Sequence, residues 1–514
     1  MTLVQIALSL TLAAVPFAYL IGATRAHLDP ARATGSQFLF SLAMLAATSQ
    51  ALFAEAHPLP WLSSSPVSLV MLLLISFIGL IIARYSQHYL AGERRESHYY
   101  CSLQLTLAAV SVVVISNHLL LLLAAWIAIS LSLHQLLMFY PERPRAALAA
   151  HKKFLFARIA EGSLLGAALL LYAEHGTWRI DEIVAAYPVA QLSLYEQIAA
   201  LLLALTALIK CAQLPVHGWL IQVVEAPTPV SALLHAGIIN LGGYLLILFA
   251  PLLTQAAAAQ WLLLVFAGLT TLLAGLIMMT RTSIKVRLAW STCAQMGLML
   301  VECALGLFEL ALLHLIAHSC YKAYAFLNAG STVEAQLYRQ LAPAGRPDAR
   351  AWLEAALLST ALVAAPVAYL APAGPYSPWL LLTLTLSLVL AERAGRLHAG
   401  KLLPALGLAV VLITAYGLQK SGAAWLAPEL PPSAGALGDA WVCLLVASLF
   451  LGYILLRYAP NSALGRRLWQ SIYAGLYLDE WATRTTLAVW PIRLPVRANA
   501  KQLPQPLLNR ESLS

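Results

Sequence analysis

Apolar residues gather along this chain in fifteen runs of spanning length, at 3–21, 38–53, 67–83, 100–115, 119–140, 154–172, 198–212, 230–250, 261–279, 288–305, 307–332, 352–369, 379–390, 402–418 and 440–458. A helix of about 20 apolar residues crosses the hydrocarbon layer of a bilayer. The pattern therefore predicts an all-α, polytopic membrane protein with about fifteen transmembrane helices, in a range of about 13 to 16. The short runs at 198–212 and 379–390 read as broken or tilted helices.

Composition sharpens this into an exclusion. Apolar residues make up 61% of the 514 positions and charged residues only 10%, whereas a soluble domain has about half and about a quarter. The net charge of +9 would hint at nucleic acid in a soluble protein, but here the placement of the charge accounts for it. Arg84, Arg94, Arg95, Arg143, Arg145, Lys152, Lys153, Arg281, Lys285 and Arg287 fall in one set of alternate loops, and the other set holds Arg179 and Lys420. That bias predicts an inner (plasma) membrane protein with its N-terminus outside and its C-terminus in the cytoplasm, its surroundings lipid and not nucleic acid. No positive charge precedes the first run, which reads as an uncleaved crossing. The six cysteines stand singly with no CxxC pair, so neither a disulfide framework nor a zinc site is expected in this chain.

Ionisable groups inside apolar runs are costly to insert and mark function by default. His314, His318 and Lys322 recur every four residues in HLIAHSCYKAYAFLNAGS, which puts them on one helix face as a column about 12 Å long. Such a column reads as a proton relay; the alternative is two packing histidines beside a structural cation. Lys210 lies one turn before Pro215, and Pro227 and Pro229 follow. A broken helix is expected there, with Thr228 as N-cap and Pro229 as the first helical residue. Arg158 and Glu161, three apart, form an ion pair that is either structural or functional, and His235 sits in the next run. His134 reads as a packed core residue.

With these residues in view, the segments PVSLVMLLLISFIGLIIARYS, KCAQLP, PTPVSALLHA and HLIAHSCYKAYAFLNAGS occur in the order found in the antiporter-like subunits of respiratory complex I and the Mrp sodium/proton antiporters, which the chain resembles from about 66 to 331. The resemblance implies two inverted five-helix repeats, each with a broken helix, and a proton path of buried lysines and histidines. It divides the chain into N-terminal helices (1–98), a first repeat (99–250), a second repeat (251–400) and C-terminal helices with a tail (401–514). It also implies that Lys210 is the central lysine of the first repeat and His235 the histidine of the broken helix. Lys322, His314 and His318 would be the relay of the second repeat, and Arg158 and Glu161 the arginine and acid of helix six. Three departures stand out. Ile127 occupies the place of the family's helix-five glutamate, no charged residue lies between Glu354 and Glu392, and 47 residues follow Arg467 where the respiratory subunits carry a lateral helix.

These departures are similar to a divergent branch, the DabB membrane subunits of energy-coupled inorganic carbon pumps, as are EAPTPVSALLHAGIINLGGYLL and HQLLMFYPERPRAALAAHKKFLFAR. The resemblance implies a transporter subunit with no enzyme activity and no cofactor of its own. It implies as partner a DabA-like, zinc-dependent, carbonic-anhydrase-like subunit that turns carbon dioxide into bicarbonate while cations flow through this chain. Glu161 would then take over the role of the missing helix-five acid. The alternative is a subunit of a complex I or Mrp-type Na⁺/H⁺ antiporter assembly.

Overall fold

A computed structural model describes residues 3–26 and 60–491 except 64, 190, 342–346, 371–373, 395–398, 425, 427–429 and 431–434, together with a few single positions between 28 and 44. In chain order the main helices are α1 (Leu3–Ala26), α2 (Pro66–Tyr89), α3 (Glu96–Ile115), α4 (Leu119–Leu137), α5 (Pro144–His175), α6 (Leu194–Lys210), α7 (Gly218–Gln222), α8 (Thr228–Ala236) and α9 (Leu241–Leu248). Then follow α10 (Ala257–Met278), α11 (Ile284–Ala304), α12 (Phe308–Leu327), α13 (Ala349–Leu370), α14 (Ser377–Ala394), α15 (Ala399–Ala424), α16 (Gly435–Tyr458), α17 (Ala463–Tyr473) and α18 (Glu480–Val489). Among the described residues there is no strand, only two isolated bridges, Leu62 with Ser116 and His118 with Arg179. The protein is an all-helical, multi-pass membrane architecture.

Ten described helical segments are long and apolar enough to cross a bilayer, fewer than the fifteen the runs predict. The run at 38–53 lies outside the described residues except for positions 41 and 44. The run at 198–212 becomes α6, whose 17 residues stop at Lys210, and the run at 288–305 becomes α11, which takes in Lys285, Arg287 and Glu302. Short or charge-bearing helices escape a rule of length and hydropathy, so the count of fifteen is not reached on that rule.

Local chemistry sets the helix ends. Ser65 caps α2 by accepting from the Ser68 N–H, and Pro66 at the first position gives up no needed donor. Ser193 and Glu196 form a reciprocal capping box at the start of α6, with the Ser193 N–H donating to Glu196 at 2.7 Å. Gly176 closes α5 in the left-handed conformation, φ 66°.

The apolar core runs through α2–α6 and α8–α12. The crossing made by α8 and α9 is buried along its most apolar stretch, so neighbouring helices and not lipid surround it. That is where irregular backbone is tolerated at membrane depth. Beyond α16, helices α17 and α18 pack back onto α10 and α5, joined by a turn in which Gly475, Leu476 and Tyr477 all have positive φ.

Candidate functional site

Lys210 ends α6, and its ammonium lies 4.6 Å from the ring centroid of Trp126 on α4, a cation–π distance. It lines a cavity of about 30 Å³ together with Trp126, Ser130, Lys153, Glu161 and Trp219, room for about two waters. Glu161 pairs with Arg158 at 2.7 Å. Ser130 is the hub, since its hydroxyl accepts from Lys153 Nζ and from Arg158 Nη2, each at 3.0 Å, and its carbonyl accepts a second bond from Lys153 at 2.8 Å. Two lysines and one glutamate thus share one small chamber, and a proton exchanged among them leaves its net charge unchanged.

The chain past Lys210 leaves the helix. Residues 211–217 are non-helical and mostly buried, and the short α7 and a single 3₁₀ turn lead into α8. Exposed backbone groups here would be orphaned in lipid, and polar side chains answer them. Gln213 donates to the Cys211 carbonyl at 2.7 Å, and the Leu214 N–H donates to the Thr270 hydroxyl at 3.0 Å. Thr228, expected as N-cap, is instead the first helical residue after Pro227 and makes no cap bond; its hydroxyl accepts from Lys285 Nζ at 2.7 Å. Pro229 already fixes the first turn, which frees that hydroxyl. A second break follows at Gly237, where the Asn240 amide donates to the Ala236 carbonyl at 2.9 Å and to Ser319 of α12 at 2.6 Å.

Beyond the break a second group of ionisable side chains lies between α8, α11 and α12. Lys322 is fully buried and donates to the Leu288 carbonyl at 3.1 Å and to the Ser291 hydroxyl at 2.8 Å. One residue further along α11, Thr292 donates to the same Leu288 carbonyl and sits 3.0 Å from Nδ1 of His235. While the Thr292 hydroxyl spends its proton on Leu288, it can only accept from His235, so the His235 proton resides on Nδ1. Nε2 is then a bare lone pair, buried with no partner among the described residues, and the ring stacks on Phe326 at 4.4 Å. Both ring nitrogens of His318 are likewise buried and unpartnered, and the His314 ring lies 6.3 Å from it. His314 Nδ1 is 3.2 Å from each oxygen of Glu302. Each buried polar atom without a partner costs about 1–3 kcal/mol, so a row of them is expensive as mere packing.

The sequence-derived residues thus fall into two groups: Lys210, Arg158 and Glu161 by the chamber, and His235, Lys322, His318 and His314 beyond the break. His134 packs against His151 and Phe154. Three ionisable residues escaped sequence reasoning. Lys152 and Lys153 are not loop charges: both are buried in α5, because that helix begins at Pro144, well before its apolar run. The signal was available, since the chamber-lining positions 153, 156, 157, 160 and 161 recur at helical spacing. Glu302 was hidden inside the run at 288–305.

The family described as "NADH:quinone oxidoreductase/Mrp antiporter, TM" matches residues 116–388, and "NADH-Ubiquinone oxidoreductase (complex I), chain 5 N-terminus" matches 62–100. A probable inorganic carbon transporter subunit DabB of Hydrogenovibrio crunogenus is 57% identical over 448 residues, 87% of this chain and 86% of that protein. The probable DabB2 subunit of Halothiobacillus neapolitanus is 38% identical over 442 residues, 83% of this chain and 80% of that one. NADH-quinone oxidoreductase subunit L of Escherichia coli is 33% identical over 277 residues, 53% of this chain and 45% of its own. In the solved Mrp complex from Dietzia sp. DQ12-45-1b, one chain shares the fold with a TM-score of 0.63 at 23% identity, covering 99% of this chain and 62% of that one.

Proposed function

We infer that this chain, which belongs to the NADH:quinone oxidoreductase/Mrp antiporter membrane-subunit family and within it to the DabB inorganic carbon transporter subunits, conducts protons for the uptake of carbon dioxide or bicarbonate. Hydration of carbon dioxide, which releases one proton for each bicarbonate formed, falls to a separate DabA-like subunit that carries zinc. Proton flow through this chain makes that step one-way. The chain sits in the cytoplasmic membrane with its N-terminus outside and its C-terminus inside, a reading supported by its alternating Lys and Arg loops.

The observation that carries this reading is the succession of ionisable groups from Lys210 to Glu302, half-buried at its two ends and at His314 and buried at Lys153, His235, Lys322 and His318, which includes imidazole nitrogens with no partner among the described residues. A proton on Lys210 or Lys153 passes the break to Nε2 of His235, and from there to Lys322, His318 and His314, leaving at Glu302. Glu161 supplies the negative charge that the family keeps at the position of Ile127 here. The absence of that helix-five acid favours a carbon pump over a complex I or Mrp-type Na⁺/H⁺ antiporter assembly.

The test is bicarbonate accumulation by cells carrying Lys210→Ala or Lys322→Ala, with the protein quantified in the membrane. Loss of uptake in both supports the reading, and wild-type uptake in both overturns it. Gentle purification separates the two assemblies: a zinc-bearing soluble partner supports the carbon pump, and quinone-reducing or antiporter subunits support its rival.

A further inference from the structure

A second polar cavity, of about 240 Å³, lies between α7 and the C-terminal turn that joins α17 to α18. It is lined by His217, Gln222, Arg281 and Trp290 on one side and by Tyr477 and Asp479 on the other. Asp479 reaches in from 327 residues away to accept from Lys152 Nζ at 2.7 Å, and Gln222 donates to the same oxygen at 3.3 Å. Its carboxylate lies so close to Gly218 that any side chain there would overlap it; the glycine is a fitted seat for the acid. The other oxygen, Oδ1, is buried without a partner among the described residues, as is Nδ1 of His217, a residue only 2% exposed.

Two neighbouring pairs of residues tie this cavity to the inner chamber. His217 and Gly218 line the outer cavity, and Trp219, one position on, lines the chamber of Lys210. Lys152 holds Asp479, and Lys153, turned about 100° away on the same helix, lines the chamber. The short helix α7 and the 152–153 step of α5 thus each contribute to both spaces.

We propose that this cavity is the aqueous mouth of the proton path on the side of the C-terminal segment, with Asp479 as the carboxylate that takes the proton from water and His217 as the next acceptor. A hydronium ion gives its proton to the carboxylate of Asp479, whose side chain is 27% exposed, and water remains. Asp479 passes that proton to Nδ1 of His217 and regains its charge, which restores the pair with Lys152. His217 then delivers to the chamber of Lys153 and Lys210 past Trp219. The C-terminal segment is in this way part of the conducting structure and not only an anchor. The inference rests on the proton-conducting reading above.

The experiment follows proton movement with a pH-sensitive dye in membrane vesicles bearing the assembled complex. Wild-type and Lys322→Ala complexes set the scale; if the wild type moves no protons, the conducting reading itself fails. If it does, Asp479→Asn is expected to slow the flux roughly tenfold or more, with Asp479→Glu restoring much of it. Wild-type flux in Asp479→Asn overturns the proposal. Gln222→Cys decides independently, including the case where Asp479→Asn does not assemble. A membrane-impermeant cationic methanethiosulfonate, applied from the side of the C-terminus, is expected to modify that cysteine and to block flux, against a wild-type background control. No modification, or modification with flux intact, overturns the mouth.

Discussion

Glu302 and His314 face each other across the α11–α12 hairpin, both carboxylate oxygens 3.2 Å from the same imidazole nitrogen. The acid also borders a cavity of about 210 Å³ with Ser377 and Thr385 of α14, which sets it between the buried histidines and a more open space. Glu302→Gln keeps the shape of the side chain and removes its charge. Proton flux in vesicles is expected to fall roughly tenfold with the protein still in the membrane; unchanged flux removes Glu302 from the path.

Thr292 tests the tautomer argument. Thr292→Val keeps the volume but takes away the hydroxyl that holds His235 Nδ1, so His235 is free to turn its proton to either nitrogen. Flux is expected to drop several-fold, on the order of 1 kcal/mol in barrier terms, and Thr292→Ser is expected to recover it. Equal flux in Thr292→Val and wild type would show that the orientation of His235 does not matter.

Ser130 binds two cations through one hydroxyl. Ser130→Ala leaves Lys153 only the carbonyl at 2.8 Å and removes one acceptor of Arg158, which keeps Glu161. The loss is expected to be about 1–3 kcal/mol, read as a lower unfolding midpoint in detergent. A midpoint equal to that of wild type would mean that internal water already satisfies these groups.

Gly242 is a contact point, not a flexible joint. A Cβ there would meet Cys211 Sγ at 2.5 Å and the Ala207 carbonyl at 3.0 Å. Gly242→Ala is therefore expected to destabilise the packing of α9 on α6 by about 1–3 kcal/mol. Gly162→Ala, where nothing lies within 4 Å, serves as the control. If both behave alike in a thermal shift, the close approach carries no weight.

Much of the helical layout was legible because hydrophobic runs and helices answer to the same physics of dehydrated backbone. The column of His314, His318 and Lys322 and the pair of Arg158 with Glu161 were legible for a related reason: neighbours on one helix are fixed by spacing alone. Partners across helices were not. Nothing local in the sequence joins Lys152 to Asp479 or His235 to Thr292, because those encounters are decided by how whole helices stack. Lys152 and Lys153 misled for a further reason. A charge ordinarily ends an apolar run, so one buried within a helix has the same sequence signature as a loop.

Asn240 clasps two helices at once, holding the loosened turn at Ala236 with the amide that also grips Ser319. A slide of either strut along its length must stretch that clasp or drag the other with it. A push delivered to one half of the molecule is consequently felt in the other within a single side chain's reach, as in two levers pinned at a common rivet.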